Sequence, residues 1–164
     1  MLILIRSLLR GVMLVLRRWS KLIGDWLKEG RRKMHTRNFT DEEFVCRCGR
    51  CGWSQVRPGL VAAELMAACQ RVRDAYGGPV RVSSGRRCHS HNQEVGGVSN
   101  GYHTRGLAAD LVADDMERLY QACVGTDELK YIEAHDSYIH VDIGRERKQR
   151  VNDRRTVSKR EVTA

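Results

Sequence analysis

Apolar positions along this 164-residue chain change their period several times, and each change predicts an element. Residues 2–16, "LILIRSLLRGVMLVL", form an apolar run that Arg6 and Arg10 interrupt. Those charges argue against a clean signal sequence or a membrane span. Arg6, Arg10, Arg17, Lys21 and Lys28 instead recur at intervals of four, seven, four and seven, along one face of a helix with Leu, Ile, Val and Trp on the rest. Three readings of residues 1–33 stay open: a basic amphipathic helix lying on a membrane surface, a helix packed on a partner, and a translation start at Met34. After a linker-like "KEGRRKMHTR" (28–37), Thr40 and Glu43 have the spacing of a capping box and predict a short helix. In residues 58–78, Leu60, Val61, Leu65, Ala68, Cys69 and Val72 make a helical stripe that Gly77 and Gly78 end.

The following residues change to period two. "PVRVSSG" predicts a strand running into a loop, "HNQEVGGVSNG" a long surface loop, and "GLAADLVA" a second strand. "DDMERLYQAC" predicts a helix started by Asp114 or Asp115. "LKYIEAH" and "SYIHVDIG" alternate like two antiparallel strands joined at His135, Asp136 and Ser137. This order predicts an α+β fold, a small antiparallel sheet flanked by helices. It occupies residues 34–144 and is followed by a charged, structureless tail over 145–164.

Charge sharpens that division. Residues 1–33 carry +7 and residues 145–164 carry +5 of a net +9, which leaves 34–144 at −3. The basic ends therefore suit an anionic surface, whether membrane, wall polymer or nucleic acid. No motif in the body interleaves basic and aromatic residues, so specific nucleic-acid recognition is not expected.

Asp110 sits among small apolar residues, where a carboxylate needs a partner or a metal. His140 and Asp142 share a strand face, because side chains two apart do, and Tyr138 shares it too. His103, Asp110 and His140 would together supply two imidazoles and a carboxylate, a donor set that leaves an open position on a catalytic zinc ion. Six cysteines add a second candidate. Cys46, Cys48 and Cys51 follow C-x-C-x-x-C spacing, able to hold a second zinc with Cys88, His89 or His91, or to form disulfides in an oxidising compartment. Cys69 and Cys123 lie in apolar helical stripes and read as buried free thiols.

The stretch "VSSGRRCHSHNQEVGGVSNGYHTRGLAADL" together with "YIHVDIG" resembles the zinc D-alanyl-D-alanine carboxypeptidase family. That group includes phage L-alanyl-D-glutamate endolysins and shares a fold with the hedgehog signalling domain. The matching pieces are Ser84-Gly85-Arg86-Arg87, Asn92, Gly96-Gly97, then His103, Gly106, Ala108 and Asp110, and finally His140-Val141-Asp142. "NFTDEEFVCRCG" is similar to the start of phage-type members. The resemblance covers residues 38–144 and implies His103, Asp110 and His140 as zinc ligands. It implies Arg87 as the group holding a substrate carbonyl or carboxylate, with Arg86 as a neighbouring competitor, and Asp142 as a residue orienting a ligand histidine. Two positions depart from the family pattern. Gly101 stands where a serine is usual, and Ser137 stands where an acidic general base is expected. Glu133 and Asp136 are the nearby acids that remain.

These readings imply a zinc peptidase acting on peptidoglycan stem peptides, of the phage or prophage kind. It would work at the bacterial cell envelope, or wait in the host cytoplasm before lysis, with peripheral membrane association through its basic ends. The competing class is a non-catalytic zinc-binding module that recognises wall peptide or a partner protein.

Overall fold

The computed structural model describes residues 19–20, 35–57, 59–145 and 150–153. The chain divides into two compact units, Met1–Arg32 and Lys33–Ala164. In the first, only Trp19 and Ser20 are described, so the basic face expected over residues 1–33 lies outside the described residues. Among the described residues no helix is long and apolar enough to cross a membrane.

The second unit is built on a five-stranded sheet. Strands β1 (Arg81–Ser84), β2 (Ala108–Val112), β3 (Tyr131–Ala134), β4 (Ile139–Asp142) and β5 (Arg150–Asp153) lie in the order β1-β2-β4-β3-β5. The β1/β2, β2/β4 and β3/β4 pairs are antiparallel, as expected. The β3–β4 hairpin turns where the sequence placed it, with His135 N–H donating to the Tyr138 carbonyl at 2.9 Å. β5 corrects the expectation of a structureless tail: residues 150–153 run parallel to β3. Charge density suggested disorder there, but the open edge of β3 offers unpaired backbone groups to any segment able to extend along it.

Four helices among the described residues complete the unit: α1 (Ala63–Tyr76), α2 (His89–Glu94), α3 (Tyr102–Arg105) and α4 (Met116–Val124). Leu65, Ala68, Cys69, Val72 and Tyr76 form the buried stripe of α1. The helix ends at Gly77, whose left-handed backbone (φ 71°) lets its N–H reach the Arg73 carbonyl at 3.0 Å. Leu60 and Val61 are buried too, but in the turn before the helix. Asp115 caps α4 by accepting from the Arg118 N–H at 2.9 Å. The capping-box segment Asp41–Phe44 folds as a 3-10 turn, with Thr40 N–H donating to Glu43 Oε1 at 3.2 Å. A second 3-10 turn spans Gly52–Ser54. The long loop expected over residues 91–101 is shorter than predicted, because its first residues belong to α2.

Strand alternation divides the sheet into two faces. Val82, Ala109, Leu111, Ile132, Ile139 and Val141 enter one hydrophobic core with the apolar stripes of α1 and α4. The opposite face carries polar side chains in a single row. Ser84 stands opposite Asp110, Asp110 opposite His140, and His140 opposite Glu133. Directly opposed side chains have Cβ atoms about 4.5–5.5 Å apart, so the register alone gathers residues from four strands.

Candidate active site

His103 reaches that row from outside the sheet. The sequence placed it in a loop, but it lies on α3, a single helical turn between two glycines. A Cβ on Gly101 would lie 2.9 Å from the Val98 carbonyl oxygen, which explains why a serine does not occupy that position. A Cβ on Gly106 would meet the Leu60 carbonyl at 2.7 Å, and its φ of 72° favours glycine in any case. The Nδ1 of His103 lies 2.7 Å from the Gly85 carbonyl, so Nδ1 carries the proton and donates. Nε2 faces the sheet, where it would offer its lone pair to a bound metal.

Three candidate ligand atoms converge there. His103 Nε2 is 3.1 Å from Asp110 Oδ1 and 3.1 Å from His140 Nδ1, and His140 Nδ1 is 2.9 Å from Asp110 Oδ1. A tetrahedral ion with N and O ligands at roughly 2.0–2.1 Å has edges of about 3.3 Å, so this triangle needs little expansion to hold one. The donor set fits a borderline-soft divalent ion. Two imidazoles and one carboxylate, with no fourth protein donor among the described residues, leave an open coordination position.

The surroundings stabilise the carboxylate. Burial alone would push the Asp110 carboxyl up, but hydrogen bonds from His103 and His140, and their charge, hold it well below the usual carboxylate range. Arg87 adds a further hydrogen bond, from Nη2 to Asp110 Oδ2, and its Nε donates to Ser84 Oγ at 2.8 Å. Burial disfavours a charged His140, yet its hydrogen bond to Asp110 and the nearby Asp142 carboxylate raise it to about 9. Asp142 is fully buried, 3.8 Å from His140 Nε2, and accepts from the Gly144 N–H at 3.2 Å and Arg145 Nε at 3.4 Å. It therefore stands behind His140, on the ring edge away from the triangle.

Above the triangle opens a cavity of about 550 Å³, lined by Arg87, Tyr102, Tyr131, Glu133 and Tyr138 among others. Glu133 is half-buried, and its Oε2 accepts from the Tyr131 hydroxyl at 2.8 Å. His135 Nε2 lies 3.7 Å from Glu133 Oε1. Asp136 does not join them: it is exposed in the hairpin turn and is not among the cavity-lining residues. The adjacent arginines part company. Arg87 faces the cavity, while Arg86 stacks 3.9 Å from the Trp53 ring centroid.

Sequence reasoning missed three contributors. Tyr131 had a usable signal, since it lies two residues before Glu133 on the same strand face. Arg145 sits 4.0 Å from the Tyr131 ring and had been counted only as tail charge. The Gly85 carbonyl is a backbone group, for which residue type gives almost no sign.

The cysteines assemble away from this row. Cys46, Cys48 and Cys51 are joined by Cys88, all four sulfurs lying within 4.8 Å of one another. His89 is exposed, and His91 places Nδ1 3.3 Å from Cys46 Sγ. All six cysteines are free thiols. Cys69 and Cys123 are fully buried, and burial pushes the Cys69 thiol up to about 12.

A comparison with curated proteins finds no match. A sequence model of the peptidase M15 family matches residues 37–142, well over half of the chain and the whole span from the capping box to Asp142. With an α+β fold of this kind and a clustered His, Asp, His donor set, the chain belongs to the peptidase M15 family.

Proposed function

We propose that this protein is a zinc metallopeptidase that hydrolyses peptidoglycan stem peptides, as a D-Ala-D-Ala carboxypeptidase or an L-Ala-D-Glu endopeptidase. The observation that carries the reading is the convergence of His103 Nε2, Asp110 Oδ1 and His140 Nδ1 on the cavity floor, with Glu133 next in the same row. His103, Asp110 and His140 would hold the ion, which when bound supplies Lewis acidity for a scissile carbonyl and acidifies water.

The chain's own residues do the remainder. Gly85 fixes the His103 tautomer, and Asp142 orients His140 from behind. Among the described residues Glu133 is the one carboxylate lining the cavity apart from the buried Asp110 and Asp142, so it takes the proton of the attacking water and returns it to the leaving amine. The Tyr131 hydroxyl donates to one Glu133 oxygen, and His135 Nε2 lies 3.7 Å from the other. Arg87 commits Nη2 to Asp110 and Nε to Ser84, and its Nη1 can bind a substrate carbonyl or carboxylate. Its basic ends would draw the enzyme to anionic wall or membrane surfaces of the bacterial envelope, and an endolysin of phage or prophage origin fits this use.

Metal content and wall hydrolysis, measured on wild type and His103→Ala with analysis of the released termini, test the proposal. Hydrolysis that disappears with the metal supports it, and the termini name the bond. The exposed Ser137, where an acid is expected, favours a binding module as the second reading. Zinc held at His103 without hydrolysis of any wall preparation would select that module instead.

A further inference from the structure

The four-sulfur cluster takes no part in that chemistry. Cys46 and Cys48 lie on the loop after the first 3-10 turn, and Cys51 immediately precedes the second. Cys88 is the N-cap of α2 and lies far along the chain from the other three. Cys48 Sγ and Cys88 Sγ are 3.9 Å apart. A disulfide would need about 2.05 Å. A tetrahedron of thiolates with Zn–S bonds of about 2.3 Å has edges of about 3.8 Å, close to what is found.

The donors around the cluster have matching polarity. Backbone N–H groups of Arg50, Cys88 and His91 point at the sulfurs of Cys48, Cys46 and Cys88, each at 3.4 Å. The Ser54 hydroxyl lies 3.4 Å from Cys48 Sγ and 3.5 Å from Cys51 Sγ. Every sulfur therefore has a donor beside it, the arrangement that stabilises metal-bound thiolates.

We propose that Cys46, Cys48, Cys51 and Cys88 form a closed tetrathiolate site for zinc, distinct from the His103, Asp110, His140 triad. Four protein donors leave no coordination position open to substrate, so the ion is structural. It ties the loop after Phe44 to the segment that carries the active-site groups. Within that segment Gly85 holds His103, Arg86 N–H donates to the Phe44 carbonyl at 2.8 Å, and Arg87, beside Cys88, reaches Asp110. The assignment does not depend on the peptidase reading.

The test uses the full-length protein, purified reduced, with metal analysis and cobalt(II) substitution. The expected result is near-ultraviolet thiolate-to-cobalt charge-transfer absorption in wild type and in His103→Ala. Cys48→Ser/Cys88→Ser should lose that absorption and one metal ion per chain. Cys88→His keeps four donors and should keep the ion with weaker absorption. Absorption in wild type without any effect of His103→Ala on metal content would sustain the thiolate site and count against the triad alone. Wild-type protein with all thiols reduced that gives no such absorption overturns the proposal. So does a disulfide among these four cysteines in protein purified without oxidant.

Discussion

Glu133→Gln isolates the proton-transfer role proposed for the cavity carboxylate. The substitution removes a charge and a proton acceptor but keeps the side-chain shape and an oxygen for the Tyr131 hydroxyl, now 2.8 Å away. Glu133 faces His140 directly across the ladder, so it stands beside the candidate ligand cluster of His103, Asp110 and His140. A positioned general base contributes roughly 10²–10⁴ in rate, which is about 2.7–5.4 kcal/mol of barrier at about 1.36 kcal/mol per decade. The expected outcome is a fall of that size in kcat for release of new termini from purified wall, with metal content and KM close to wild type. Asp136→Asn, on the exposed turn, should leave kcat within about twofold, as a surface charge remote from the cavity does. Wild-type kcat in Glu133→Gln, or a large loss in Asp136→Asn instead, would refute the assignment. Loss of metal in Glu133→Gln would show that the carboxylate supports the ligands and not the proton transfer.

Other expectations concern the buried row and the core behind it. Asp110→Asn removes the negative charge facing His103, His140 and Arg87 and turns one accepting oxygen into an NH2 donor; it should abolish metal retention at the triad and destabilise the metal-free protein by about 3–5 kcal/mol in urea unfolding, as breaking a buried ion pair does. Leu111→Ala, next to Asp110 but on the fully buried core face, should lose about 2–5 kcal/mol through cavity formation, and unchanged stability would show that the core collapses around the gap.

Much of this arrangement was legible because it rests on period. Two-residue alternation in "YIEA" and "IHVD" gave two antiparallel strands and put His140 and Asp142 on one face, whereas lining Asp110 and Glu133 up with His140 took the strand register. Capping residues and glycines set the ends of α1 and α4 for local reasons that a sequence displays. What escaped depends on partners distant in the chain. The helix α2 covers only six residues, so its polar sequence looked like loop, and its N-cap is a cysteine sulfur. That Asp136 is exposed while Glu133 stands opposite His140 follows from the hairpin register, which residue types alone do not give. The strand β5 has no apolar alternation of its own and exists through backbone pairing to β3. Selecting Cys88 over His89 and His91 required knowing that α2 starts there.

Ser84 to Cys88 is the segment on which both candidate metal sites depend, and Gly85 is its narrowest point. A Cβ at residue 85 would lie 2.6 Å from Phe44 Cα and 2.7 Å from the Phe44 carbonyl oxygen. Both are backbone atoms, so no rotamer change relieves the contact; the segment or the 3-10 turn must shift. Moving the Gly85 carbonyl withdraws the acceptor that fixes His103 Nδ1, and moving Phe44 strains the bond from Arg86 N–H. Overpacking of this kind costs about 1–3 kcal/mol. Gly85→Ala should therefore unfold at lower urea and hold less metal at the triad, while zinc at the four thiolates, anchored by side chains on either side, should persist. Gly49→Ala gives the comparison: its Cβ meets nothing within 4 Å, so it carries only the penalty of a left-handed φ of 67°. If Gly85→Ala matched wild type in stability and in metal bound by the histidines, the close packing of Phe44 on this segment would not be what holds His103 in place.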